Sequence, residues 1–423
     1  MTYAPRAIDP HLVEMLAGLP AVAVEGPKAV GKTATAARLA RTIIRLDRED
    51  EVELLAVDPG RLSRGPAPVL VDEWQLMPQS WDLVRRAVDD GAGAGAFLLT
   101  GSATPRARTH SGAGRIVRVR MRPMSFAERQ IESPTVSFAG LLADGPAEIG
   151  GRTEVALEDY AEEIVRSGFP AIRGLEGVHR RDALESYLTR IVEHDFSELG
   201  HVVRRPRVLE AWLTAYAAVT GTTATYESIL DAATQGIGDK PTRPTTAAYR
   251  DTLERLWILD EVPAWVGSRN RLASLTQASK HFLADPALAA RLLGVGARAL
   301  IDTPQPGKIV ARDGTLLGAL FEHLVALSVR VHAEVERARV LHLRTKGGEH
   351  EVDLIVERDD GKVLAIEIKL NRLPTDKDVR HLRWLKEKLG DDLVDAVVVT
   401  TGPLAYRRPQ DGIAVVPLAL LGP

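Results

Sequence analysis

Gly26-Pro27-Lys28-Ala29-Val30-Gly31-Lys32-Thr33 satisfies the pattern G-x-x-x-x-G-K-[ST] at every position. The residues around it complete the reading. Ala21-Val22-Ala23-Val24 is an apolar run of strand length, and Ala34 to Leu46 carries a helical pattern. Strand, glycine turn and helix together aim backbone N–H groups and a helix start at phosphate oxygens. Gly26, Pro27, Lys28, Ala29, Val30 and Gly31 would form the cradle. Lys32 would reach the β- and γ-phosphates, and the Thr33 hydroxyl would ligate Mg²⁺. Only eleven lysines occur in 423 residues, so a lysine at the required place is not a cheap coincidence.

A second motif belongs with the first. Pro68-Val69-Leu70-Val71 is an apolar strand that ends in Asp72 and Glu73. A strand-end Asp suits Mg²⁺ held through water, and the following Glu suits a base that orients or deprotonates the attacking water. Asp72 followed by Glu73 therefore argues for turnover rather than for a passive nucleotide clamp. Thr100-Gly101-Ser102 ends another apolar run, and Thr100 or Ser102 is placed to sense a γ-phosphate through its hydroxyl.

Composition bounds the rest. A chain of 423 residues predicts two to four domains. Apolar content of 45% with 26% charge is that of a soluble globular chain. Cysteine is absent, which removes disulfides, cysteine-held zinc and thiol catalysis and suits a reducing cytoplasm. No secretory leader is apparent, and no stretch of about 18 apolar residues predicts a membrane span. A net charge of −3 confines any nucleic-acid contact to local basic patches.

Residues 1–130 alternate strands and helices. The strands are expected at Ala21–Val24, Val52–Val57, Pro68–Val71, Ala96–Thr100 and Ile116–Met121, with helices at His11–Ala17, Ala34–Leu46 and Trp81–Asp89. That order predicts a parallel sheet with ligands at its carboxyl ends. Arg115, after Gly112-Ala113-Gly114, is the first choice among Arg106, Arg108, Arg115, Arg118, Arg120 and Arg122 for an arginine finger on a neighbouring subunit's nucleotide. Residues 131–204 read as helical. Residues 205–300 read as three helices and a short apolar run, the order of a winged helix. Its third helix would carry Tyr249, Arg250 and Arg255 to DNA, with Arg243 and Arg204-Arg205-Pro206-Arg207 nearby.

Residues 301–423 form a separate unit of order α-β-β-β-α-β. Glu367 and Lys369 alternate on one strand and share a face, and hairpin pairing brings Asp353 alongside. A central apolar strand does not carry Glu and Lys inward without a use. Clustered carboxylates bind Mg²⁺ as hard oxygen ligands, and a neighbouring Lys can stabilise charge on a scissile phosphate.

The front resembles AAA+-type ATPases, in particular a prokaryotic group that pairs such an ATPase with a C-terminal DUF4143 domain. Gly26–Thr33, Val69–Gln75 (VLVDEWQ), Leu98–Ser102 (LLTGS), Gly114-Arg115 and Pro123–Glu128 (PMSFAE) carry the resemblance. It implies ATP over GTP and a homo-oligomer. The tail resembles the restriction-endonuclease-like PD-(D/E)xK fold. Asp353 stands for the lone Asp and Glu367-x-Lys369 for the (D/E)xK part. Glu322 stands for the helix Glu, while Val352 replaces the Pro. That resemblance implies Glu322, Asp353 and Glu367 as metal ligands, with Asp353, Glu367 and Lys369 catalytic beside Lys32 and Glu73 of the front site.

The expected architecture is therefore α/β: a P-loop parallel-sheet ATPase domain, a helical and winged-helix middle, and a restriction-endonuclease-like α/β tail. Two functions follow. One is an ATP-driven DNA-processing enzyme whose tail cuts with Mg²⁺. The other is a nucleotide-gated switch whose tail binds a partner without cutting. A kinase or small-molecule transferase is disfavoured, because about 300 residues beyond the loop would have no use.

Overall fold

The structure is a computed structural model that describes residues 3–104, 112–201, 203–235, 241–267, 277–301, 314–345 and 347–423. Arg106 and Arg108 lie outside the described residues. The chain forms two compact units. One comprises residues 1–122, 193–203 and 247–258, and the other residues 123–192, 204–246 and 259–423.

The first unit is built on a five-stranded sheet. Its strands are β1 (Ala21–Glu25), β2 (Thr42–Arg45), β3 (Val69–Asp72), β4 (Phe97–Gly101) and β5 (Ile116–Arg120). Their spatial order is β2-β3-β4-β1-β5, and every pairing is parallel. β1, β3 and β4 are buried along their whole length, as expected of strands covered on both faces. The core beside them contains Trp74 and Trp81, with ring centroids 4.6 Å apart.

Two expectations for this unit are corrected. The helix expected over Ala34–Leu46 is only Lys32–Ala37, and Thr42-Ile43-Ile44-Arg45 is the edge strand β2. Thr and Ile are branched at Cβ and fit a pleated surface better than a helix. The strand expected at Val52–Val57 is a helix, Glu49–Val57. Its first turn carries Glu49, Asp50 and Glu51, whose charges complement the positive end of the helix dipole. The valines suggested a strand, but only Leu55 of this helix is fully buried.

The second unit contains a small pairing of β6 (Val136–Ser137) with a C-terminal strand and a larger six-stranded sheet. The larger sheet comprises β7 (Arg339–Arg344), β8 (Glu351–Glu357), β9 (Val363–Lys369), β10 (Leu393–Thr400), β11 (Tyr406–Arg407) and β12 (Ala414–Pro417), in the order β11-β12-β10-β9-β8-β7. The partner of β6 is β13 (Leu421–Gly422). β7, β8 and β9 pair antiparallel, whereas β10 runs parallel to β9 and to β12. Helices Gly314–Val335 and Arg380–Leu389 complete the expected α-β-β-β-α-β order. Residues 316–335 are long and apolar enough to cross a membrane, which the sequence reading did not anticipate. The most apolar window is 72% buried in the protein, as befits a core helix.

In the middle of the chain, helices Pro206–Ala218, Tyr226–Ala233 and Arg243–Arg255 are followed by antiparallel bridges Leu259↔Leu283 and Val262↔Lys280. Tyr216 and Tyr226 flank His281 at 5.0 and 5.1 Å, which fixes the first two helices against that bridged segment. Two of the residues expected on the DNA-reading face of the third helix are engaged inside the protein. Tyr249 is buried with its ring 6.1 Å from Phe196, and Arg255 donates to the Thr104 carbonyl at 2.6 Å. Arg250 lies 3.5 Å from Glu254. Tyr249 and Arg255 are thus used within the first unit.

Trp81 is fully buried, packs at a tilt against Trp74 and underlies the Arg118 guanidinium at 4.8 Å. Trp81→Ala is expected to destabilise the first unit by about 3–5 kcal/mol. Urea unfolding followed by circular dichroism measures this, and a loss below about 1 kcal/mol would contradict the packing role.

Candidate active site

The front site follows from strand order. Because β4 lies between β1 and β3, hydroxyls at its carboxyl end stand beside the acids that end β3. Thr100 Oγ1 donates to Asp72 Oδ1, and Thr33 Oγ1 donates to the same oxygen at 2.7 Å. Asp72 therefore joins the phosphate loop to the centre of the sheet. Two hard oxygen donors, the Thr33 hydroxyl and the Asp72 carboxylate, converge there, which is the donor chemistry that Mg²⁺ takes.

Glu73 occupies left-handed backbone, with φ 55°. A residue with a Cβ pays roughly 1–3 kcal/mol for that conformation, and such strain is concentrated at functional sites. The result aims its carboxylate back at β4. Ser102 Oγ donates to Glu73 Oε2 at 2.8 Å. Gln75 Nε2 donates to that same oxygen and, at 3.0 Å, to Ser102 Oγ. Thr100 and Ser102, expected as phosphate sensors, thus hold the two acids.

The loop is shaped by close backbone approach. A Cβ on Gly26 would stand 2.0 Å from the Met121 carbonyl oxygen, so no larger residue fits. Gly31 has φ 100°, which a residue with a side chain rarely adopts. Lys32 is 4% exposed and donates to the carbonyls of Gly26 at 2.9 Å and Pro27 at 2.8 Å. Burial pushes its ammonium down to about 8, against the opposing pull of Glu73 and Asp72. Lys28 points elsewhere, pairing with Asp195 at 2.8 Å and Glu198 at 2.7 Å.

The tail gathers its expected residues as well. Glu322 and Asp353 meet around a residue that was not foreseen, and Glu367 pairs with Lys369 beside them. Lys280 is 1% exposed and donates to Glu322 Oε1 and Asp353 Oδ1, each at 2.9 Å. Asp353 Oδ2 accepts from the Ile368 N–H at 2.9 Å, and Lys369 Nζ donates to Glu367 Oε1 at 2.6 Å. Burial pushes Glu322 up to about 7 and Glu367 up to about 8, each also raised by Asp353. Asp353 is driven up by burial, but Lys280 and Lys369 outweigh that and hold it below the usual carboxylate range.

Three family models match this chain. Residues 19–130 match an AAA domain, residues 157–299 a domain of unknown function (DUF8612), and residues 317–421 another (DUF4143). The chain carries an AAA-type P-loop ATPase domain followed by a DUF4143 domain. Solved structures similar to this chain include two ATP-related proteins. A Walker-type ATPase of Pyrococcus abyssi is 18% identical, with TM-score 0.41, over 69% of this chain and 96% of that one. The Aeropyrum pernix ORC2 protein, solved as ADPNP and ADP complexes, is 13% identical, with TM-score 0.27, over 76% of this chain and 93% of that one. No curated protein matches.

Within the ATPase domain, Arg115, expected to reach a neighbouring subunit's nucleotide, lies at the end of the sheet away from the phosphate loop. It precedes β5, whose first residue Ile116 pairs with Ala21 at the start of β1, whereas the phosphate loop follows Glu25 at the other end. That separation is roughly 13 Å along the strand. Arg115 instead donates to Asp89 at 2.8 Å. In the DUF4143 domain, the expected Mg²⁺ set Glu322, Asp353 and Glu367 has the Lys280 ammonium bonded to two of its members. Among the described residues no group of three or more His, Asp or Glu is arranged to hold an ion.

Sequence reasoning passed over Gln75, Glu25, Asp195, Glu198 and Lys280. Gln75 stood inside the quoted VLVDEWQ run and could have been found there. Glu25 ends the apolar β1 directly before the loop. It is buried, with its carboxyl raised chiefly by desolvation. Asp195, Glu198 and Lys280 lie far from their partners in sequence, and no spacing rule marks them.

Lys32 generates a pH prediction. Its free ammonium titrates near 8, and phosphate oxygens stabilise the charged form, so nucleotide binding raises the value. Nucleotide affinity should therefore be full below about 8 and fall as pH rises through it, by up to about tenfold per unit, with proton uptake on binding. Calorimetric titration of ATP between about pH 7 and about pH 9.5, in buffers of different ionisation enthalpy, reads both effects. A flat affinity over that range would contradict the buried-ammonium account.

Proposed function

We propose that the protein is a Mg²⁺-dependent ATP hydrolase whose ATPase domain works as a nucleotide-gated switch. The supporting observation is the convergence of Thr33, Thr100, Ser102 and Gln75 on the paired acids Asp72 and Glu73. Bound Mg²⁺ would neutralise charge building on the β- and γ-phosphate oxygens. Thr33 and Asp72 are the residues that would hold it. Lys32 would exchange its two carbonyl partners for phosphate oxygens. Glu73 would take a proton from the attacking water, with Ser102 and Gln75 keeping its carboxylate in place.

Two readings of the remaining chain were open, a DNA-processing enzyme and a switch that binds a partner without cutting. The switch is favoured by the ion pairs of Lys28. Asp195 and Glu198 tie the phosphate loop to residues 193–203, a segment that returns to the first unit from far along the chain. A change at the loop on nucleotide binding would be felt by that segment directly. The burial of Tyr249 and the internal use of Arg255 weigh against a DNA-reading third helix. Arg115 keeps its proposed role toward a neighbouring subunit, which a homo-oligomer would supply.

Glu73→Gln should bind ATP within a few-fold of wild type but hydrolyse it about 10²–10⁴-fold more slowly. Lys32→Ala should lose binding and hydrolysis together. Phosphate release and equilibrium nucleotide binding on the full chain separate the two effects. Hydrolysis by Glu73→Gln close to the wild-type rate would remove the proposed base.

A further inference from the structure

The carboxylates of the tail have the residue types of a divalent-metal site, yet their central position is filled. We infer that Lys280 is a built-in cation that takes the place of a divalent metal in the Glu322–Asp353–Glu367 cluster. The inference deepens, and rests on, the reading of the tail as a module that binds without cutting.

Geometry carries it. The Lys280 ammonium has Glu322 and Asp353 oxygens at 2.9 Å and a Glu351 oxygen at 3.6 Å, so its three donors face three carboxylates. Distances near 2.9 Å suit an ammonium donor, whereas Mg²⁺ draws oxygens to about 2.0–2.1 Å. A divalent ion and an ammonium cannot share one position against like-charge repulsion in a buried site. Glu367 has its own cation in Lys369. Its second oxygen, Oε2, is buried without a hydrogen-bond partner among the described residues, so the cluster keeps acceptor capacity there.

The lysine is also anchored. Lys280 N donates to the Val262 carbonyl at 2.9 Å, and its own carbonyl accepts from Val262 N at 3.0 Å. The next residue is fixed too, because His281 N donates to Thr222 O at 2.9 Å and its ring Nε2 meets Ala224 O at 2.7 Å. The backbone that carries the ammonium is therefore held by pairing to Val262 and to Thr222. Lys280 thus supplies a positive charge at the position between Glu322 and Asp353 where a divalent ion would otherwise sit.

The test is Mn²⁺ titration of the nucleotide-free full chain, read by calorimetry and by the electron paramagnetic resonance of free Mn²⁺. Wild type and Asp353→Asn should give the same isotherm. Lys280→Ala should gain one site, at least roughly tenfold tighter than any that wild type shows, and Lys280→Ala with Asp353→Asn should lose it again. Mn²⁺ should also raise the Tm of Lys280→Ala and leave that of wild type unchanged. Lys280→Gln keeps a donor and much of the length, and it serves if the alanine variant does not fold. If neither folds, the wild-type and Asp353→Asn comparison decides alone. A wild-type site removed by Asp353→Asn overturns the inference, as does a folded Lys280 variant that gains no site. Plasmid cleavage by wild type that is lost in Asp353→Asn, with no Mn²⁺ bound there, would instead sink the non-cutting reading and leave Lys280 in its role.

Discussion

The Asp72 carboxylate is the joint on which the ATPase site depends. It accepts hydroxyls from the phosphate loop and from β4, so one acidic side chain ties three elements that sequence separates widely. The interaction exists because of strand order. With β4 inserted between β1 and β3, the loop and the acids cannot be joined by adjacent strands, and side chains must span the gap. Thr33 and Thr100 do so from opposite sides. Glu73 then follows from Asp72: the chain turns sharply through left-handed backbone, and Ser102 and Gln75 hold the second carboxylate where that turn leaves it.

Much of this was legible because the motif encodes local geometry. A glycine that stands against the Met121 carbonyl, a lysine that folds over its own loop and acids at a strand end are all properties of short segments. Strands of small or branched apolar residues buried on both faces were equally plain. The failures came where local pattern and tertiary demand diverged. Thr42–Arg45 followed a helical stretch too closely to stand apart, and its strand conformation comes from pairing with Val69–Asp72. Val52 and Val57 favour a strand by propensity, but the acidic first turn of Glu49–Val57 decided for a helix. Arg115 was read from its neighbours Gly112 and Gly114, and only the register of β5 against β1 shows which edge of the sheet it occupies.

In the tail, the residues were found but their company was not. Asp353, Glu367 and Lys369 were marked by strand spacing and Glu322 only by the resemblance, and the structure places them near one another. The sequence says nothing of Lys280, which comes from a bridged segment more than forty residues before Glu322 and is aimed inward by its pairing with Val262. A resemblance that rests on four acidic and basic positions cannot report a fifth residue that changes the charge at their centre.

Lys32 and Lys280 are nearly equally buried, yet burial has opposite consequences for them. Around Lys32 the polar contacts are two neutral carbonyls, and its ammonium is held below its ordinary value. Around Lys280 two carboxylates are within hydrogen-bond distance, and they outweigh the cost of burial and raise it. A buried cation in neutral company is an unsatisfied charge, and an incoming anion stabilises it strongly. A buried cation already bonded to two anions gains little from any ligand, and removing it leaves those anions uncompensated, at a cost of about 3–5 kcal/mol in comparable buried pairs. The two lysines thus mark one site that is built to accept phosphate and another that is already closed by the protein itself.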